Sequence, residues 1–133
     1  MLDHVNLRVA NYERSRQFYQ AALAPLGYVL AMENDAGAGF RKGFIPDFWI
    51  KQGDPINFRE ALAESGCGGP AVHVAFASED RSAVDAFYAA ALAAGARANG
   101  APALRPTYHP NYYGAFVLDP DGYNIEAVCH KSG

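Results

Sequence analysis

Three side chains of this sequence, His4, His73 and Glu126, combine residue types and placement that could do chemistry. Around His4 the chain alternates, with Val5, Leu7 and Val9 on one face and His4, Asn6 and Arg8 on the other, the period-2 pattern of a half-buried strand. Around His73 the oily set is Val72, Val74 and Phe76, which leaves His73, Ala75 and Ala77 opposite. Near the C-terminus Tyr123, Ile125 and Ala127 are the bulkier set, so Asn124, Glu126 and Val128 point away from them. Two imidazoles and one carboxylate are thus expected on the face opposite the apolar one. That is the donor set of the 2-His-1-carboxylate arrangement, which grips a divalent cation on one side and leaves other positions open for substrate. Asn6, Arg8 and Asn124 share that face and are candidate substrate contacts.

The elements that must position these groups come from an internal duplication. Phe18-Tyr19 begins fourteen residues after His4, and Phe87-Tyr88 begins fourteen after His73. At the same offset Asn11 falls on Asp80, Ser15 on Val84, Ala22 on Ala91 and Leu23 on Leu92. A repeat this long, used twice, describes two supersecondary modules sharing one core rather than a solenoid. In each copy the strand is followed by an N-cap, Asn11 or Asp80, and by an amphipathic stripe that a glycine, Gly27 or Gly95, brings to an end. Three short extended segments follow in each: 28–33, 39–44 and 48–51 in the first, 97–102, 112–118 and 123–129 in the second. Asp119-Pro120-Asp121-Gly122 is a tight turn, Pro setting φ and Gly taking the left-handed position, that joins the last two into a hairpin. The chain therefore reads as one α+β domain over residues 1–133. Its two βαβββ modules, about 1–53 and 71–130, are joined by a linker that contains Ser65, Gly66, Gly68 and Gly69 and a short helical turn over 58–63.

Composition bounds the partners. With 133 residues, half of them hydrophobic and 19% charged, the chain is long enough to bury a core without staples. A net charge of −3 argues against nucleic acid and anionic membrane surfaces, which call for concentrated basic charge. Cys67 and Cys129 form no CxxC and have no base at a readable spacing, so neither is proposed as a nucleophile. That usage, with an N-terminus lacking a signal-peptide pattern, leads to the expectation of a cytoplasmic protein without membrane spans.

The paired modules, a histidine on the first strand of each, and the closing run Asp119-Pro120-Asp121-Gly122-Tyr123-Asn124-Ile125-Glu126 resemble the vicinal oxygen chelate superfamily over essentially the whole chain. That superfamily includes glyoxalase I, bleomycin-resistance proteins, fosfomycin-resistance thiol transferases and extradiol dioxygenases. The resemblance implies curved antiparallel sheets forming a cup with helices outside, a divalent metal (Zn, Fe, Mn or Ni) on His4, His73 and Glu126, a small oxygen-rich substrate bound by chelation, and homodimers. A fourth acidic ligand is common in the superfamily on the last strand of the first module. Here Lys51 holds that place; a protonated lysine cannot ligate, so a three-donor site is implied, with Lys51 able to attract an anionic group. Lyase or isomerase chemistry is favoured on chain length, extradiol cleavage of a catechol stays open because the donors suit Fe(II), and a cup that sequesters a ligand without turnover is the competing class.

Two further residues come from the run Arg105 to Tyr113. Counting back across the hairpin, Tyr113, Ala115 and Val117 are expected on the face of Glu126, so that Tyr113 could donate to a bound oxyanion and His109 could shuttle a proton from the loop. Each candidate has a plainer reading. A lone strand histidine is more often structural, Arg8 is more often a rim residue, and Arg14 and Arg16 belong to the wet side of a helix. Phe18, Tyr19, Phe87 and Tyr88 read as core.

Overall fold

The computed structural model describes residues 1–53 and 72–133. The expected linker, with its helical turn, lies outside them. The first module runs β1 (Val5–Val9), α1 (Tyr12–Leu23), β2 (Val29–Asn34), β3 (Gly37–Arg41) and β4 (Phe48–Gln52). The second runs β5 (His73–Ala77), α2 (Arg81–Ala93), β6 (Arg97–Leu104), β7 (Tyr113–Leu118) and β8 (Asn124–Cys129). Each module folds into a four-stranded sheet with one helix, in the orders β1-β4-β3-β2 and β5-β8-β7-β6. The fold is α+β, two βαβββ modules. Within each otherwise antiparallel sheet one pair is parallel, β1 with β4 and β5 with β8, because a helical crossover carries the chain back to the end where it started.

Local chemistry sets the ends of the elements. Asn11 Oδ1 accepts from Arg14 N at 3.1 Å, and Asp80 Oδ1 accepts from Ala83 N at 2.8 Å, so both expected caps satisfy a free helical N–H. After α1 the chain tightens into a single 3-10 turn, Ala24–Leu26, before Gly27 turns it out at φ 89°. Gly37, at the β2–β3 turn, is required twice over. Its φ is 115°, and a Cβ there would lie 1.9 Å from the Ile50 carbonyl oxygen.

The helices pack against each other and against one face of the sheets, and the core is common to both modules. Phe18, Tyr19, Phe40, Phe48 and Ile50 from the first module and Val84, Phe87, Val117 and Ile125 from the second are almost wholly buried, each such apolar side chain contributing roughly 1.5–3 kcal/mol. Tyr88 sits half-buried at the margin. Phe76 of β5 joins the halves, its ring meeting Phe48 at 5.1 Å and Tyr28 at 5.3 Å, both edge-on. Polar ties run across the same boundary: Tyr123 OH donates to Arg8 O at 2.7 Å, Ala10 N to Asp121 Oδ1 at 3.1 Å, and Tyr19 OH to Asp119.

The alternation holds in the burial along β1 and β5, whereas β8 is buried on both faces. Leu7 and Val9 are buried and His4, Asn6 and Arg8 exposed; Phe76 is buried and His73 and Ala75 are not. One expectation is corrected by the β7–β8 register. Phe116 stands opposite Glu126 and Gly114 opposite Val128, so Tyr113, Ala115 and Val117 face the helix layer. Tyr113 accordingly reaches α2, where its hydroxyl donates to Asp85 Oδ1 at 2.7 Å and Arg81 lies over its ring. Five residues separate Leu118 from Asn124, and that count puts even-numbered positions of β7 on the face of Glu126. Among the described residues no helix is long and apolar enough to cross a membrane.

Candidate functional site

Glu126 projects from β8 on the side away from the helices and is nevertheless only 1% exposed. What covers it comes from two neighbouring strands. From β5, His73 brings Nε2 to 2.9 Å from Glu126 Oε2. From the residue just before β7, the Tyr112 hydroxyl donates to Oε1. Burial, and then that hydrogen bond to the carboxylate, hold the Tyr112 phenol well above its ordinary pKa, so it remains a donor at neutral pH. Gly114 makes room for the contact, since a Cβ there would meet Glu126 Oε1 at 3.0 Å and the Tyr112 ring at 3.1 Å.

Around this group opens a cavity of ≈ 370 Å³ lined by His73, Tyr108, Tyr112, Phe116 and Glu126. Phe116 forms one wall, its ring 5.8 Å from that of His73. Tyr108 and Tyr112 stand 5.1 Å apart, and Tyr108 is 68% exposed at the rim.

His4 is elsewhere. It precedes β1 on the first sheet, its Nδ1 2.6 Å from Asp3 Oδ1, with a side chain 55% exposed. It borders a separate cavity of ≈ 410 Å³ with Asn6, Met32, Pro46 and Trp49. Among the described residues no three His, Cys, Asp or Glu side chains are grouped to hold a metal ion. The chain thus brings His73 and Glu126 together and leaves His4 on the face of the other sheet.

The remaining candidates divide the same way. Lys51 pairs with Arg8 in the β1–β4 register, both on the His4 side. Asn124 lies on the Glu126 side and accepts from Asn99 Nδ2 at 3.3 Å. His109 Nδ1 accepts from Asn111 N at 3.1 Å, and the ring of His130 lies 5.6 Å from that of His109 and 5.2 Å from that of Tyr112. Tyr112, Tyr108 and Phe116 are site residues that the alternation did not single out.

The pair that does meet suits a cation. Two donors at about 2.1 Å on adjacent coordination positions stand roughly 3 Å apart, the spacing of His73 Nε2 and Glu126 Oε2. No Lys or Arg among the described residues forms an ion pair with this buried carboxylate, and its tyrosine partner supplies the outer hydrogen bond that orients metal-binding carboxylates.

Two four-stranded sheets, each with a helix and built as a βαβββ module, with a histidine–glutamate pair on the face of the second sheet away from the helices, define the class of the protein as a small α+β fold of paired modules. The chain belongs to the Glyoxalase/Bleomycin resistance protein/Dioxygenase superfamily, whose model matches residues 1–127. Among solved structures it is similar to a glyoxalase/bleomycin resistance protein from Albidiferax ferrireducens T118, at 30% identity over 96% of each chain with a TM-score of 0.72. Two further structures share the fold. A glyoxalase/bleomycin resistance protein/dioxygenase family enzyme from Burkholderia phytofirmans PsJN is 20% identical over 98% of each chain, with a TM-score of 0.69. A glyoxalase-related enzyme from Fulvimarina pelagi is 20% identical over 97% of this chain and 87% of the other, with a TM-score of 0.63. No curated protein gives a significant match.

Proposed function

We propose that this protein is a divalent-metal-dependent enzyme of the glyoxalase type, acting on a small oxygen-rich substrate with lyase or isomerase chemistry, in the cytoplasm. The observation that carries the reading is the 2.9 Å approach of His73 Nε2 to Glu126 Oε2 at the floor of a ligand-sized cavity. His73 and Glu126 would hold the cation, which when bound supplies Lewis-acid stabilisation to substrate oxygens carrying developing negative charge. Tyr112 keeps the carboxylate oriented, and Phe116 and Tyr108 supply apolar walls to the cavity. The third donor, His4, reaches the cavity from a second copy of the chain in a homodimer. What supports this is its exposure on the other sheet, beside a cavity of its own.

Elemental analysis of protein isolated without added metal tests the reading. Near-stoichiometric divalent metal in the wild type and its loss in His73→Ala, Glu126→Gln and His4→Ala are expected. Hybrid dimers of His4→Ala and Glu126→Gln subunits rebuild one intact site and recover about one ion per dimer. A metal-free wild type of full stability overturns the proposal, and hybrids that recover nothing overturn the shared site. A substrate screen under air and under nitrogen separates isomerase chemistry from extradiol cleavage of a catechol. A second reading, ligand sequestration without turnover, is favoured by one feature: His73 and Tyr112 together satisfy the buried carboxylate without help from a cation.

A further inference from the structure

The first sheet carries a cavity distinct from the one around Glu126. The strand registers place Asn6, Trp49, Gly39 and Met32, from β1, β4, β3 and β2, side by side in one row across the sheet. Their chain neighbours Leu7, Phe48 and Phe40 are buried in the core, so the row lies on the face away from the helices. Gly39 is buried all the same, because the indole of Trp49 covers it. A Cβ on Gly39 would lie 2.8, 2.9 and 2.9 Å from three successive carbons of the six-membered ring. Nearly equal distances to bonded neighbours put that point over the face of the ring, since an approach at the edge would favour one carbon. Trp49 therefore lies flat on the β3 backbone with one face, and its other face looks into the cavity of ≈ 410 Å³ that it lines. Around that face Met32 and Ile45 are 47% and 69% exposed, apolar surface left in water.

We propose that this cavity is a second binding site, which takes a flat, uncharged heteroaromatic ring stacked on Trp49, with the Asn6 carboxamide hydrogen-bonded to an amide-type edge of the ring. The glycine beneath the indole lets the backbone fix the plane of the platform, and a ligand of matching shape covers the free face. Asn6 lines the cavity one strand away from Trp49, and its carboxamide offers both donors and an acceptor. Charge selects a neutral ligand. Asp3 stands at one end of the platform, and Arg8 with Lys51 form the next row of the same face at the other, so an ion of either sign would meet its like. The volume falls within the range of small-molecule sites. This site meets the metal reading only at His4, and Trp49, Met32, Ile45 and Asn6 carry it whether or not a metal binds elsewhere.

The test uses the full-length, EDTA-dialysed protein and two lactams that share a hydrogen-bonding edge and differ in shape, flat isoquinolin-1-one and its puckered perhydro analogue. Calorimetric titration is expected to show the flat lactam binding about tenfold or more tighter. Trp49 is the one tryptophan of the sequence, so its indole N–H gives a single resonance whose shift under the ring current should saturate with the same Kd. Trp49→Leu brings the two affinities to within about twofold of each other, while Trp49→Phe keeps most of the preference. Ile45→Asp, an exposed position whose change leaves the core intact, weakens the flat lactam about fivefold or more. Asn6→Ala weakens both lactams alike, by about threefold or more, since they share the edge. A merely structural tryptophan would change thermal stability and leave the preference intact. Equal binding of the two lactams, no binding of either, an indole resonance that does not move, or affinities unchanged in Ile45→Asp and Asn6→Ala overturns the proposal. So does a preference that survives Trp49→Leu; if it is lost instead in Glu126→Gln, the ligand sits at the histidine–glutamate end and the metal reading stands. A metal-free wild type that binds the flat lactam at Trp49 upholds this site and overturns the metal reading alone.

Discussion

The phenol of Tyr112 donates its hydrogen bond to Oε1 of Glu126, and the next residue, Tyr113, donates to Asp85 on the opposite side of the sheet. Adjacent tyrosines thus serve different layers of the molecule. Tyr112→Phe leaves a buried carboxylate oxygen without its donor and should cost about 1–3 kcal/mol, whereas Tyr113→Phe, losing a solvent-exposed bond, should cost well under about 1 kcal/mol. Urea unfolding of the two variants checks the order, and a reversed order would contradict the strand register.

Gly114→Ala tests the clearance beneath that bond. The added methyl must displace either Glu126 Oε1, 3.0 Å away, or the Tyr112 ring, 3.1 Å away, at a cost of about 1–3 kcal/mol. Gly43, where a Cβ meets nothing within 4 Å, is the control, and Gly43→Ala should be near neutral. Equal unfolding midpoints for the two variants would show that the site yields without strain.

Asp119 makes stability depend on pH in an unusual direction. Burial raises its pKa from 3.8 to about 6, against the opposing pull of the Tyr19 hydroxyl and the N–H groups of Asp121 and Tyr123. Because the folded state holds this proton more tightly than the unfolded chain, the group disfavours folding once ionised. That penalty is absent below about pH 4, grows between about 4 and 6, and saturates at about 3 kcal/mol above that. Asp119→Asn should therefore gain on wild type between about pH 4 and 7 in denaturant titrations. A difference that stays constant over that interval would refute the assignment.

Phe76→Ala removes the ring that sits between Phe48 and Tyr28 and should cost about 3–5 kcal/mol, as for a buried aromatic truncated in a core. Because this contact crosses between modules, the variant should unfold in one cooperative transition at a lower midpoint, followed by circular dichroism and tyrosine fluorescence together. Separate transitions would mean that the modules hold their structure independently.

Much of this molecule is written locally. Alternation along β1, β5 and β8 sorts His4, His73 and Glu126 onto the face away from the helices, since side chains on a strand alternate regardless of what lies nearby. The caps Asn11 and Asp80 and the turn from Asp119 to Gly122 are equally local, each a short-range contest between side chain and backbone. The repeat of His and Phe-Tyr reports the two modules because each must bury the same helix stripe.

The pairing of individual groups belongs to a longer range. Which tyrosine meets Glu126 depends on how β7 registers against β8, and a slip of one residue reverses every side chain, so Tyr112 and Tyr113 exchange roles on that count alone. The separation of His4 from His73 depends on how the sheets associate, which is settled by packing between residues far apart in sequence, such as Phe76 against Phe48 and Tyr28. Such contacts have no period along the chain, and so no periodicity could have announced them.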